Sequence, residues 1–131
     1  MKLHLIKLCV GIDDVEQLAD SQRRRLKQAR AAGTVPELKH LTRHRPKRAE
    51  ELLDGGSLYW VIRGVVRVRQ RLLELRQVED AERGNLCAMV LDHTLVPTYP
   101  RRFRAFQGWR YFPAADAPAA APPGWAGGDL P

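Results

Sequence analysis

Residues 57–75, SLYWVIRGVVRVRQRLLEL, carry a two-residue alternation. Leu58, Trp60, Ile62, Gly64, Val66 and Val68 share one parity and are all apolar or glycine. Ser57, Tyr59, Val61, Arg63, Val65, Arg67, Arg69 and Arg71 share the other. Successive side chains of an extended chain point to opposite faces, so the pattern predicts a strand with one core face and one face bearing an arginine ladder beside a tyrosine. Beyond Val68 the parity blurs at Leu72, Leu73 and Leu75, where Gly64 or a later bulge re-aims the chain. A helix competes here, because Val61, Val65, Val68, Leu72 and Leu75 also fit spacings of three and four. The β-branched and aromatic residues favour the strand, and Gly64 inside a helix costs about 1 kcal/mol relative to Ala.

The same reading places a strand over residues 3–10, LHLIKLCV, ended by Gly11. A helix follows. Asp13 with Glu16 forms a capping box, and Val15, Leu18, Ala19, Gln22, Leu26 and Ala29 recur at helical spacing. Arg23, Arg24, Lys27 and Arg30 form its solvated face, and Gly33 and Pro36 end it. Residues 38–44 form a short extended segment. RPKRAEELLDGG is a short helix with Pro46 in its first turn and Gly55–Gly56 as its stop. RQVEDAERGN, residues 76–85, reads as a polar loop and LCAMVLD as a strand. Pro97 and Pro100 interrupt the chain, and RRFRAFQGWRYF alternates as a final strand.

From Pro113 the composition changes to Ala, Pro and Gly, which cannot form a packed core. The expected organisation is therefore one globular domain over residues 1–112 and a disordered tail over 113–131, with Trp125 its one large apolar group. The order of elements gives an α+β fold: a small, mostly antiparallel twisted sheet or partly open barrel, with one longer N-terminal helix and one short helix.

Charge adds a partner class. The 131 residues carry 22 Lys+Arg against 15 Asp+Glu, a net charge of +7, which favours phosphate-bearing partners. The two cysteines, Cys9 and Cys87, sit apart in apolar runs and read as buried, inert thiols. MKLHLIKLCVG is too short and too interrupted by charge for a signal peptide, and no run is long enough to span a bilayer, so a cytoplasmic protein without a membrane partner is expected.

The arginine parity of 57–75 and that of the last strand (Arg102, Arg104, Phe106, Gly108, Arg110, Phe112) share one surface if the two pair. Guanidinium groups suit phosphate and aromatics suit bases. The candidate anion- or nucleic-acid-binding set is Lys47, Arg48, Tyr59, Arg63, Arg67, Arg69, Arg102, Arg104, Gln107, Trp109 and Arg110, with Trp60 a weaker member because it lies on the core parity. A ladder buried against carboxylates is instead structural.

No P-loop, GxGxxG, GxSxG or HExxH occurs, and no cofactor is expected. Of the four histidines, His40 and His44 stand four apart, but nothing shows the paired spacing of a structural zinc site, so no metal is expected. Asp92–His93 ends a strand and offers a weak acid–base signal.

LHLIKLCVG, RPKRAEELLDGGSLYWVIRGVVRVRQRLLEL, VLD with LVPT, and FQGWRYF resemble a bacterial family known as domain of unknown function 1489. The resemblance covers residues 1 to 118, the tail running past the usual end, and implies no activity and no site residues. Arg45 stands where the family more often has an aromatic or apolar residue. LLDGGSLYWVIRG is also similar, at fold level only, to the helix, glycine turn and strand of PUA-like domains, an RNA-binding group. Three functions follow: a nucleic-acid or nucleotide-binding module on the arginine face; a small enzyme for an anionic or phosphorylated metabolite, using His93, Asp92 or His44 near the arginines; or an interaction or dimerisation module using a sheet edge or AFQGWRYF. Oligomeric state is left open.

Overall fold

The computed structural model describes residues 2–122. Its elements are β1 (Leu3–Leu8), α1 (Val15–Ala31), β2 (Leu38–Thr42), α2 (Ala49–Leu53), β3 (Ser57–Ile62), β4 (Val65–Asp80), β5 (Gly84–Leu91), β6 (Val96–Arg102) and β7 (Trp109–Pro113). The sheet runs β2-β5-β4-β3-β1-β7, with β6 pairing the first half of β4. All pairs are antiparallel except β1 with β3. The fold is α+β with an open mixed sheet, as the order of elements implied.

The stretch 57–75 is two strands, not one. Arg63 (φ 50°) and Gly64 (φ 77°) form a two-residue hairpin turn with both residues left-handed, the backbone that matches sheet twist. The alternation survives along β3, where Leu58, Trp60 and Ile62 enter the main core. Register shifts in β4 between Val66 and Val68, so Val66 joins the opposite cluster while Val68 stays in the main core. No helix follows Val68. Residues 76–85 are not a loop either: β4 continues to Asp80, and only Ala81–Arg83 separate it from β5. β4 is thus long enough to pair β3 and β6 with its first half and β5 with its second.

Pro97 and Pro100 do not break the chain; they lie within β6. An edge strand tolerates the missing N–H groups. The final strand is instead cut in two. Residues 103–108 leave β6 at one edge of the group β6-β4-β3-β1-β7 and reach β7 at the other. This strap carries Phe103 and Phe106 over the sheet face that was read as the exposed arginine face. There they pack against Ile6, Tyr59, Val61, Val66 and Phe112, and β3 is buried on both faces.

α1 covers the other face through Leu18, Gln22 and Leu26, one stripe at four-residue spacing. Its cap lies one residue later than the sequence suggested: Asp14 accepts from the Gln17 N–H at 2.7 Å, and the Gln17 side chain accepts from the Asp13 N–H. β1 likewise stops at Leu8, and Val10 is 87% exposed. Pro46 is buried but precedes the Arg48 cap of α2 rather than entering its first turn. Under α1, Gln22 of the helix meets Gln70 of β4. Gln70 also accepts from Trp60 Nε1 at 2.9 Å and donates to the Asp92 carbonyl at 2.9 Å.

Past β7, part of the stretch expected to be disordered lies along β6. The Tyr99 N–H donates to Ala119 and the Ala121 N–H to Pro97, each at 2.9 Å. Trp125 lies outside the described residues.

Candidate nucleic-acid interface

The β3–β4 hairpin tip gathers three of the expected arginines. Arg63, Arg102 and Arg104 line a shallow open cleft with Gly64, Val65 and Phe103. Two contacts fix it. Val65 pairs with Arg102, and the Phe103 N–H donates to the Gly64 carbonyl at 2.9 Å. Arg63 and Arg104 are exposed, as is Arg102. Arg67 stands at the β4 irregularity, half-buried.

None of these four is ion-paired with a carboxylate among the described residues. The arginines that are paired lie elsewhere: Arg23 on Asp20, Arg48 on Glu51, Arg76 on Glu37 and Glu74, and Arg83 on Asp80. Arg76 holds both its glutamates below the usual carboxylate range, chiefly by direct hydrogen bonds. The positive charge at the tip has no such internal outlet.

The strap adds a second tier. Arg110 lies over the Phe106 ring at 4.6 Å, and Arg101 lies over Phe103 and Phe112 at 5.4 and 5.6 Å. Ring contacts at these distances hold the two cations beside the strap by cation–π attraction. Arg101 was passed over in the sequence because one continuous strand over 101–112 puts it on the parity opposite Arg102, Arg104 and Arg110; the break after Arg102 removes that parity relation. Gln107 is exposed on the strap.

Other candidates stand apart. Tyr59 is buried, edge-on to His4 and Phe112, and burial raises its hydroxyl pKa; it offers no open face for a base. Trp60 is buried beneath α1. Arg69 reaches Ser57 Oγ at 3.3 Å. Arg48 is held by Glu51 at 2.6 and 2.8 Å and lies against Tyr111, and its N–H donates to the Tyr111 hydroxyl. Trp109 donates from Nε1 to the His44 carbonyl at 3.0 Å and packs on Tyr111. Lys47 is exposed in the turn before α2. This α2 group lies away from the hairpin tip: Lys47 and Arg48 line a different cleft.

The acid–base residues do not converge. β2 pairs β5 with Leu38 opposite Leu91 and Thr42 opposite Cys87, so His44 and His93 leave opposite ends of that pair. Asp92 accepts from the Thr94 N–H at 2.8 Å, closing a turn. Burial pushes the Cys9 thiol up to about 11 and raises Cys87 as well, so neither is an activated nucleophile. Among the described residues no group of His, Cys, Asp and Glu has the makings of a metal site, and no helix is long and apolar enough to cross a membrane.

Residues 5–131 match the family model described as "Protein of unknown function (DUF1489)". The match runs through the tail, beyond the limit of 118 that the sequence motifs suggested. No curated protein and no solved structure matches the chain, so the likeness to PUA-like domains finds no counterpart there.

Proposed function

The chain belongs to the DUF1489 family, whose description assigns no activity, and from that premise we propose that it is a nucleic-acid-binding module whose contact surface is the β3–β4 hairpin tip. The reading rests on one observation: Arg63 occupies a left-handed position at the tip, beside Arg102 and Arg104, and among the described residues no carboxylate is ion-paired with any of the three. Glycine or asparagine suits that backbone better, and an arginine there costs about 1 kcal/mol. Strain kept at an exposed tip is the kind of outlier that accompanies a contact made elsewhere. Phosphate oxygens are the natural partner for three unpaired guanidiniums. Arg101, Arg110 and Gln107 extend the surface along the strap.

The enzyme reading gains nothing from the geometry, since His44 and His93 diverge and Asp92 closes a turn. The test is fluorescence anisotropy of labelled single-stranded and duplex RNA and DNA across a salt series, with the Arg63→Ala/Arg102→Ala/Arg104→Ala variant and an Arg83→Ala control. Binding should weaken with salt, and for single strands the triple variant should reduce the log–log slope by about 2, three phosphate contacts at about 0.7 each. Absence of binding at about 50 mM salt, or an unchanged slope in the triple variant, rejects the proposal.

A further inference from the structure

A second site lies beneath α1, away from the hairpin arginines. β1 and β2, which are not neighbours in the sheet, both reach this site with α1. A pocket of about 220 Å³ remains between them. Its walls come from the end of β1 and just past it (Lys7, Cys9), from α1 (Arg25) and from β2 (Leu38, His40), with Trp60 behind.

The chemistry of the lining is one-sided. Lys7 and Arg25 bring two cations from two different elements, and both charges reach His40. Lys39 alternates with Leu38 and His40 along β2, so its side chain leaves on the other face, toward Glu37. Among the described residues the lining contains no Asp or Glu, and neither Lys7 nor Arg25 is ion-paired. The interior is apolar, formed by Trp60, Leu18, Leu38 and Leu91. The His40 ring forms part of the wall, edge-on to Trp60 at 5.2 Å, and among the described residues its buried Nε2 has no hydrogen-bond partner.

We propose that this pocket binds a small organic anion with an apolar body. Lys7 and Arg25 take its carboxylate or phosphate, and the body lies against Trp60, Leu38 and the His40 ring. Binding rather than catalysis fits the lining. Cys9 stays a protonated thiol, and burial with the nearby Lys7 and Arg25 charges lowers His40 to about 4, so the ring is neutral at pH 7. A neutral imidazole in the wall leaves the positive charge of the pocket to Lys7 and Arg25.

The test titrates the isotopically labelled full chain with benzoate and with phenyl phosphate by NMR, following the Cys9, Lys39 and His40 amides and the Trp60 indole N–H. Benzyl alcohol serves as the uncharged control and inorganic phosphate as the head-group control. At least one aryl anion should saturate these signals, each control should bind at least tenfold more weakly, and Arg25→Ala and Lys7→Ala should each weaken the aryl anion by about tenfold, the equivalent of one charged contact. Arg25 is exposed and Lys7 half-buried near the end of β1, and the amide spectra of both variants check that the fold is kept. The Arg63→Ala/Arg102→Ala/Arg104→Ala variant should bind the aryl anions unchanged, which separates this site from the nucleic-acid surface. No saturable shift at these four signals by about 10 mM, equal binding of benzyl alcohol, or full affinity in both single variants overturns the proposal.

Discussion

Gln22 on α1 and Gln70 on β4, 48 residues apart, exchange two hydrogen bonds of 2.8 and 2.9 Å in the core. With Trp60 Nε1 and the Asp92 carbonyl, Gln70 makes four bonds while wholly buried. A fully satisfied network of this kind fixes one docking angle for the helix, because any slide leaves several groups unpaired at once. Gln70→Leu strands the Trp60 indole, the Gln22 amide and a carbonyl, and should cost about 3–5 kcal/mol at about 1–3 per unpaired group. Gln22→Leu leaves Gln70 two partners and should cost about 1–2 kcal/mol. Urea denaturation of both single variants and the double variant checks this; the double variant should lose less than the sum of the singles.

Gly56 joins α2 to β3 at a point with no room for a side chain. A Cβ there would stand 2.3 Å from the Leu52 carbonyl oxygen and 2.4 Å from that of Leu3. Both are backbone atoms tied into the sheet and helix. Gly56→Ala should therefore destabilise by about 3 kcal/mol or more, at the upper end of overpacking costs. Gly84→Ala meets nothing within 4 Å and bears only its positive φ of 77°, so it should lose about 1 kcal/mol. Thermal denaturation of the pair separates crowding from backbone strain.

Acid should loosen the protein through two histidines. Burial lowers His4 to about 4, helped by Arg69 and Lys2, and its Nδ1 accepts from the Ser57 N–H at 2.9 Å. His40 falls to about 4 as well. Between about 4 and their ordinary 6.5, the unfolded chain binds protons that the folded chain refuses. Stability from these groups is complete above pH 6.5 and drains as pH falls toward 4. Urea midpoints taken across that range should fall with acid, and His4→Gln should flatten part of the fall. A flat profile in the parent protein contradicts this.

Arg63 sets stability against contact. Arg63→Asn places a residue tolerant of the left-handed region at φ 50° and should raise stability by about 0.5–1 kcal/mol. The same change removes one of the three unpaired guanidiniums at the tip, so nucleic-acid affinity should fall while the melting temperature rises. Opposite movement of the two quantities in one variant is the expected signature.

Much of this fold can be read from the chain where a pattern is local. The four-residue stripe of Leu18, Gln22 and Leu26 marks α1, and the alternation of Leu58, Trp60 and Ile62 marks the core face of β3. What fails is what depends on a distant partner. Nothing near Tyr59 and Val61 in sequence reveals that residues 103–108 return to cover them, so their face looked open. Arg63–Gly64 lacked the Asn-Gly form that usually announces a two-residue turn, and two strands were read as one. Of the expected contact residues, the tip arginines come together because β6 pairs with β4, whereas Arg48 and Trp109 are engaged around α2. The pocket under α1 was illegible for a like reason: Lys7, Arg25 and His40 come from three separate elements, and none of them belongs to a motif.

The pairing of β1 with β7 joins residues 3–7 to residues 109–113. β1 is synthesised before the other described strands, yet its outer edge stays unsatisfied until β7 has emerged. A nascent or truncated product ending before residue 109 presents an apolar strand with free backbone groups, the template on which chains aggregate. Protection of that edge thus comes late in synthesis, when β7 reaches β1.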